Sequence, residues 1–485
     1  MLQECRLASA WAITAIAAGL WIWFPIGARA DSEPVHILDV RKFGAKGDGR
    51  TDDTAAIQAA LNAAGGNEVY VAAGKYRITS TITSSLPVHI QGAGMGAGSG
   101  PADISTVNCT VFVVESGKED VFKITTNYPS EFRDFLIQSA AKARPGTAGA
   151  GIHLIYGGGT GHASNSVIEH VAFSNLYEGI QVDRPDNVRI RDCYFVAWEH
   201  AGILFTTTEK MESAPGWVEN NRFCGNGTDG RHAIGTSVRG GVVTQGPAII
   251  SQSGYINISR NAIIGAQVAI SLAVAHNPAG GPRIYQNWIE NQSVAGIDVS
   301  SADGSKMNML GIEQNEFSNV DEASPALGHI VIHGCAAAAE PWLANVSIRG
   351  NVFHSRLPAS SSYIRVEAGT NVDISGNQIN DIAHANPVAI EIDGKSTDLG
   401  SPIDVFDNQV VGSEGRYKFN SNIKPVIRDM NGIPYDSLPA GCGDGSEVFV
   451  KDGRAADSSG GLLTGGGTGA VAFMQNGKWH CLPGN

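Results

Sequence analysis

Two stretches of the chain concentrate side chains that can exchange protons. The first holds Glu178, Asp183, Glu199 and His200, and the second holds Asp298, His333, Arg365, Glu367, Glu391 and Asp393. Carboxylates set beside one another or beside an imidazole are the groups of general acid–base catalysis. A carboxylate crowded by a second negative charge has its pKa raised, as a general acid requires. Arg365, two residues before Glu367, carries a planar fork that suits a ligand carboxylate. These residues are far apart in sequence, so they act together only if the fold brings them onto one surface.

An internal repeat supplies that surface. IRDCYF (190–195), ISRNAI (258–263), IEQNEF (312–317), IRGNVF (348–353), ISGNQI (374–379) and VFDNQV (405–410) share one pattern: a β-branched residue, two turn-like residues, usually Asn, then an apolar residue two places on. With looser matches, the fourth position falls at Val171, Cys193, Asn221, Asn261, Asn287, Asn315, Asn351, Asn377 and Asn408, a period of roughly 30 residues. A second motif follows most of these positions: EGIQV (178–182), AGILF (201–205), VAISL (268–272), AGIDV (295–299), YIRV (363–366) and AIEID (389–393). Its alternating apolar residues describe a strand with one buried face. Each period thus holds two or three short strands, and stacking successive periods at about 4.8 Å buries a continuous core. Asn at one position per coil can then bond the amide above and the tight-bend backbone. The expected fold is all-β: a right-handed parallel β-helix with an N-terminal capping helix and a small C-terminal β cap.

Within that coil, Ile and Val of GIxV point inward, and the x residue and the residue after Val point outward. One outer face then carries Gln181, Asp183, Leu204, Ser271, Asp298, Ser300, His333, Arg365, Glu367, Glu391 and Asp393. The opening stretch VRKFGAKGDGRTDDTAAIQAAL (40–61) matches neither a phosphate loop nor a calcium loop. It reads as a glycine-permitted turn, capped by Thr51 or Asp52 with Asp53 in the first turn. The helix it opens has an apolar stripe, Ala56, Ile57, Ala60 and Leu61, suited to plugging the open end of the coil.

Arg6, the apolar run from Leu7 to Gly27 and Ala28-Arg29-Ala30 look like a secretory signal over residues 1–30. The expected location is therefore secreted or periplasmic, with no membrane contact after cleavage; an uncleaved anchor is the alternative. The domain plan is residues 31–433 as coil with its N-terminal cap and 434–485 as a C-terminal cap or accessory module, a homotrimerisation module being one option. Net charge of −13 gives no drive towards nucleic acid and mildly disfavours a strongly anionic substrate. Six cysteines follow the signal; Cys442 and Cys481 bracket the last segment and are the expected disulfide, and Cys193 and Cys224 fit as buried thiols.

The motif VxxFGAxGDGxTDDTxAIQAA, followed by VYVxxGxYxI and HIQGAG, resembles the pectate-lyase superfamily, in particular proteins with a rhamnogalacturonase/epimerase-like domain. The resemblance implies a right-handed parallel β-helix over roughly Val35–Lys424. It also implies an exported carbohydrate-active protein with a polysaccharide lying in the groove beside the GIxV strands. The NTD, DD, GHG and RIK motifs of polygalacturonase-type hydrolases are not intact here, and the Asp clusters of pectate lyases are not visible. Glycoside hydrolysis needs two carboxylates about 5 Å or about 6.5–9.5 Å apart, and outward residues on neighbouring or next-neighbouring coils meet that need. The first expectation is accordingly a glycoside hydrolase, with Glu178, Asp183, Glu199 and His200 catalytic and Trp198, Asp298, His333, Arg365 and Glu367 binding substrate. No cofactor is expected for it. The alternatives are a polysaccharide lyase in which His200, Arg239 or Arg365 removes a C5 proton, with Ca2+ entering in that case, and a non-catalytic glycan-binding envelope protein.

Overall fold

The structure is a computed structural model. It describes residues 37–481 except 97–107, 116–118, 141–147, 157–164, 208–215, 226–245, 276–279, 302, 320–325, 339–340, 357–360, 383–387, 395–398, 414, 421–423, 441, 456–460 and 468. The signal-like segment and Arg239 lie outside the described residues.

Residues 37–485 form one compact unit. Its strands pair in parallel from coil to coil, the register stepping by one repeat each time, as in Ile203 to Ile249 to Ile270 to Ile297 to Ile330 to Ile364 to Ile390. Parallel pairing needs crossover connections, which wind right-handed. Three strands contribute per coil, two flanking the asparagine bend and one carrying the GIxV motif. The last are labelled here β1 (Ala150–Ile155), β2 (Val167–Asp183, which also contains the flanking strands), β3 (Tyr194–Thr206, likewise), β4 (Ile249–Ser251), β5 (Val268–Val274), β6 (Ala295–Ser301), β7 (Gly328–Ile332), β8 (Ile364–Val366), β9 (Val388–Ile392) and β10 (Gly415–Phe419).

The asparagines line up inside the coil. Nδ2 of Asn221, Asn261, Asn287, Asn315, Asn351 and Asn377 each donates to Oδ1 of the next in the series at 2.9–3.0 Å. Each also donates to a β-branched residue's carbonyl one coil earlier, as Asn315 does to Ile284 at 2.9 Å. Cys193 stands where the ladder begins, its amide donating to Asn221 Oδ1 at 2.9 Å. Its thiol is buried, which pushes the pKa up to about 12. The glycine of GIxV also has a steric cause: a Cβ at Gly202 would meet the Ala248 carbonyl oxygen at 2.7 Å and the Phe223 ring at 2.9 Å. Phe173, Phe195 and Phe223 stack beneath this column at 4.9 and 4.5 Å between centroids.

At the start of the coil, helix α1 (Thr54–Ala64) buries Ile57, Ala60, Leu61 and Ala64. Asp52 accepts from the Thr54 amide at 3.1 Å and its hydroxyl at 2.6 Å. Asp53 turns back instead and takes the amides of Lys46 and Gly47 at 2.6 and 3.1 Å, tying the glycine turn to the helix start. At the other end, β11 (Val426–Ile433) pairs in parallel with β12 (Glu447–Val450), which pairs antiparallel with β13 (Ala470–Gln475), itself antiparallel to β14 (Lys478–Cys481).

The expected Cys442–Cys481 bridge is corrected. Both are buried free thiols. The Cys442 Sγ donates to the Pro439 carbonyl within its own turn at 3.5 Å, and burial pushes its pKa up to about 11. Cys481 is fixed by its strand pairing to Gly461 and Ala472. Reading two bracketing cysteines as a pair missed that each already has a place in the core.

Candidate active site

The outward column of the GIxV sheet runs, rung by rung, His153, Gln181, Leu204, Ile250, Ser271, Asp298, Val331, Arg365, Glu391 and Lys418. Two residues further along each rung, Asp183 aligns with Thr206. Ser300 aligns with Ala273, and the amides of His333, Glu367 and Asp393 continue the ladder from Val299, Ile332 and Val366. Titratable groups gather at the two ends of this face, and the rungs between present Leu204, Ile250, Ser271, Ala273 and Ser300. At about 4.8 Å per rung, Asp183 and Asp298 are about 19 Å apart.

At the first end, Asp183 is not paired with the residues expected. Its Oδ2 lies 2.9 Å from His153 Nε2, and Asp120 Oδ2 lies 2.8 Å from His153 Nδ1. Asp183 also accepts from the Thr206 hydroxyl at 2.6 Å and the Gln181 amide at 2.8 Å. Burial works against the charge on His153, but the two carboxylates outweigh it and raise its pKa to about 9. Burial likewise opposes ionisation of Asp183, yet its donors hold the pKa down at about 2. A carboxylate so held cannot donate a proton near neutral pH, and an imidazolium with both nitrogens occupied cannot take one. This triad fastens three rungs together. His153 was missed in the sequence, although GIHL (151–154) fits GIxV with histidine at x; its coil has Phe135 at the ladder position, aligned with Val171, and no asparagine to mark it.

The corner before the same strand segments forms a different pair. Glu178 Oε1 lies 2.7 Å from His200 Nδ1, with the Glu178 side chain 7% exposed and that of His200 42% exposed. The hydrogen bond to Glu178 raises the His200 pKa above its ordinary value. Tyr177 stacks on the imidazole at 5.3 Å. Glu199 is half-buried between His200 and Trp198. Trp198 is corrected as a sugar platform: its ring is 2% exposed, its Nε1 donates to the Gly246 carbonyl at 3.1 Å, and it packs edge-on against Phe223. Four residues of extended strand separate Glu178 from Asp183, so the two are not a catalytic pair.

At the second end the structure does assemble the expected group. His333 Nε2 lies 2.7 Å from Asp298 Oδ1, and Nδ1 lies 3.7 Å from Glu367 Oε2. Glu367 also binds Arg365 at 2.7 Å and the Gly334 amide at 3.2 Å, with Asp393 3.8 Å from Arg365. Asp298 and then Glu367 raise the His333 pKa to about 9. The bond to His333 is the main cause holding Glu367 below the ordinary carboxylate range. Glu391, although outward, is covered by Lys418 and by Ser362, whose hydroxyl donates at 2.8 Å.

These clusters make a stability prediction with a definite sign. A folded-state pKa of about 9 for His153 and His333, against an unfolded value near 6.5, gives stabilisation that is complete below pH 6.5 and lost as pH rises towards 9. The Asp183 contribution runs the other way, present above pH 3.8 and lost as pH falls through about 2. Calorimetric melting temperatures should fall between pH 6.5 and 9, and less steeply in His153→Gln. An unchanged slope in that variant would remove the triad from the account.

Calcium does not fit these groups. Its oxygen-rich shell needs carboxylates free to converge, whereas those of both clusters are committed to His153, His333, Arg365 and Lys418. No group of three or more His, Cys, Asp or Glu placed to hold a metal occurs among the described residues.

Residues 37–229 match the family described as rhamnogalacturonase A/epimerase, pectate lyase-like, which bears out the resemblance carried by the opening motif. Mannuronan C5-epimerase AlgE2 of Azotobacter vinelandii is 52% identical over 68 residues, 12% of this chain and 7% of that protein. The matched stretch is thus a small part of that relative. Among solved structures, the catalytic unit of the GH87 alpha-1,3-glucanase of Streptomyces thermodiastaticus strain HF3-3 superposes with a TM-score of 0.51 at 13% identity, covering 81% of this chain and 69% of that one. DFA-IIIase of Arthrobacter chlorophenolicus A6 gives 0.51 at 14% identity, covering 79% and 99%. These are likenesses of fold.

Proposed function

We propose that this chain, a parallel β-helix whose residues 37–229 match the rhamnogalacturonase A/epimerase, pectate lyase-like family, is a carbohydrate-active enzyme. A polysaccharide lies along the outward face of β1 to β10. The uncharged middle rungs offer hydroxyls and apolar patches suited to sugar rings, and the proton-exchanging groups stand at either end.

The reaction the geometry supports best is elimination from a uronic-acid polymer, with His200 as base. The observation that carries it is the 2.7 Å bond from buried Glu178 to the half-exposed His200. A carboxylate on Nδ1 fixes the ring and strengthens its other nitrogen as a base, the logic of carboxylate–histidine pairs in hydrolytic triads. Nε2 takes the C5 proton, the electron pair forms the C4=C5 bond, the C4–O bond breaks, and the imidazolium returns the proton to the leaving oxygen. The local match to a mannuronan C5-epimerase agrees with chemistry at C5 of a uronate. The net charge of −13 opposes a polyanion at long range, and Arg365 and Lys418 in the outward column are shared with Glu367 and Glu391.

Hydrolysis, the first expectation from sequence, is the second reading. Glu178 and Asp183 are committed to His200 and His153, so it falls to Asp298 and Glu367. Those two are themselves bonded to the His333 ring between them, and hydrolysis is the weaker reading for that reason. One experiment separates the readings. Incubated with polyuronates and neutral glycans, the protein should release fragments with unsaturated, ultraviolet-absorbing ends. Saturated new reducing ends would assign hydrolysis, and binding without fragments would leave a glycan-binding protein.

A further inference from the structure

A cavity of about 450 Å³ lies at the C-terminal end of the coil, within the size range of small-ligand sites, and none of the candidate catalytic residues lines it. Its walls come from separate elements: Val411 at the end of the strand Gln409–Val411 and Ser413 just after it, Arg416 on β10, Asn431 on β11, Ser437 in the short helical turn Tyr435–Ser437, and Lys451 just after β12.

The charges in this wall are not balanced. Arg416 is matched by fully buried Asp429 at 2.8 Å, and Tyr417 donates to the same oxygen at 2.8 Å. The Asp452 carboxylate turns away to accept from the Tyr435 amide at 2.6 Å. Lys451 forms no ion pair among the described residues, and its stem is positioned deliberately. Gly432 has φ +82°, and a Cβ there would lie 2.7 Å from Lys451 Cε and 2.9 Å from its Cγ. The backbone angle alone favours glycine at Gly432, and the Lys451 stem lies against it, leaving the exposed Lys451 side chain at the cavity edge. Ser413 adds a second unmet demand: its hydroxyl oxygen is buried without a hydrogen-bond partner among the described residues. A buried hydroxyl left this way costs stability unless a ligand or water completes it.

An unmatched ammonium, hydroxyls at Ser413 and Ser437, an amide at Asn431 and apolar surface at Val411 and Pro434 fit one kind of molecule. It has hydroxyls, one carboxylate and a ring with an apolar face. We propose that this cavity binds a single carboxylate-bearing sugar residue, with Lys451 taking the carboxylate and Ser413 a ring hydroxyl. The site is separate from the face of β1 to β10 and does not depend on what His200 does.

The test uses the full chain with galacturonate as probe and galactose as its uncharged counterpart, measured by ligand-observed NMR titration. Lys451→Met keeps the stem on Gly432 and removes the charge. It should weaken galacturonate binding at least about tenfold, the scale of one charge-assisted hydrogen bond. Lys451→Arg should bind within about threefold of the unaltered protein. Galactose should bind the unaltered protein about tenfold more weakly than galacturonate, and added salt should narrow that gap. His200→Ala should bind galacturonate as the unaltered protein does, which separates this site from the catalytic reading. Undiminished binding by Lys451→Met, equal binding of the two sugars, loss in His200→Ala, or no binding of galacturonate at millimolar concentration would each overturn the proposal.

Discussion

Under the proposed elimination, replacing His200 by alanine should lower polysaccharide cleavage by at least about 100-fold with only a modest fall in melting temperature. The size follows from the role, since a positioned base contributes about 10²–10⁴-fold to a proton transfer. The stability expectation has two parts: the His200 side chain is 42% exposed, so little packing is lost, but the Glu178 carboxylate, 7% exposed, is left without that partner, which costs some stability. The pH profile adds a readout that a structural role would not move. A base must be deprotonated to act, and Glu178 raises the His200 pKa above 6.5. Cleavage should therefore increase with pH through a midpoint above that of an ordinary histidine. Glu178→Gln removes the negative charge and should bring the midpoint back towards 6.5. An alanine variant of full activity, or a glutamine variant with the same midpoint, would dismiss the pair as machinery.

The second large effect concerns stability. Asn315→Ala should destabilise the protein by about 3–5 kcal/mol. The Asn315 side chain donates to the Ile284 carbonyl and to Asn351 Oδ1, and accepts from both the amide and the side chain of Asn287, all at 2.9–3.0 Å. Alanine removes all four bonds and deprives buried partners on the two adjoining rungs, each loss costing about 1–3 kcal/mol before relaxation. Ladder bonds also polarise one another, so the loss is not confined to one coil. Denaturant melts followed by circular dichroism measure it. A loss under about 1 kcal/mol would mean that water or backbone movement replaces the asparagine at little cost.

The ladder was legible because it repeats. Seven asparagines in one register can be aligned by eye, and their burial follows from a backbone bend that needs an internal amide at each turn. The outward face was legible for the same reason, because alternation in GIxV fixes which side each residue takes. His333 shows the limit of that reading. It lies two residues along the rung from the Asp298 column, and its alignment with Ser300 and Glu367 depends on a connection whose length no motif records.

Sequence by itself determined the coil, its ladder and the set of side chains that can face a ligand, because periodic burial of apolar residues leaves one solution for stacking. Only the tertiary structure decided who pairs with whom. Asp183 went to His153 and not to the neighbouring acids, Glu178 went to His200, Trp198 turned into the core, and Cys442 and Cys481 stayed apart. Each outcome depends on distances of a few ångströms between rungs joined by loops of unequal length. Protonation state, and with it chemistry, changes over that same range.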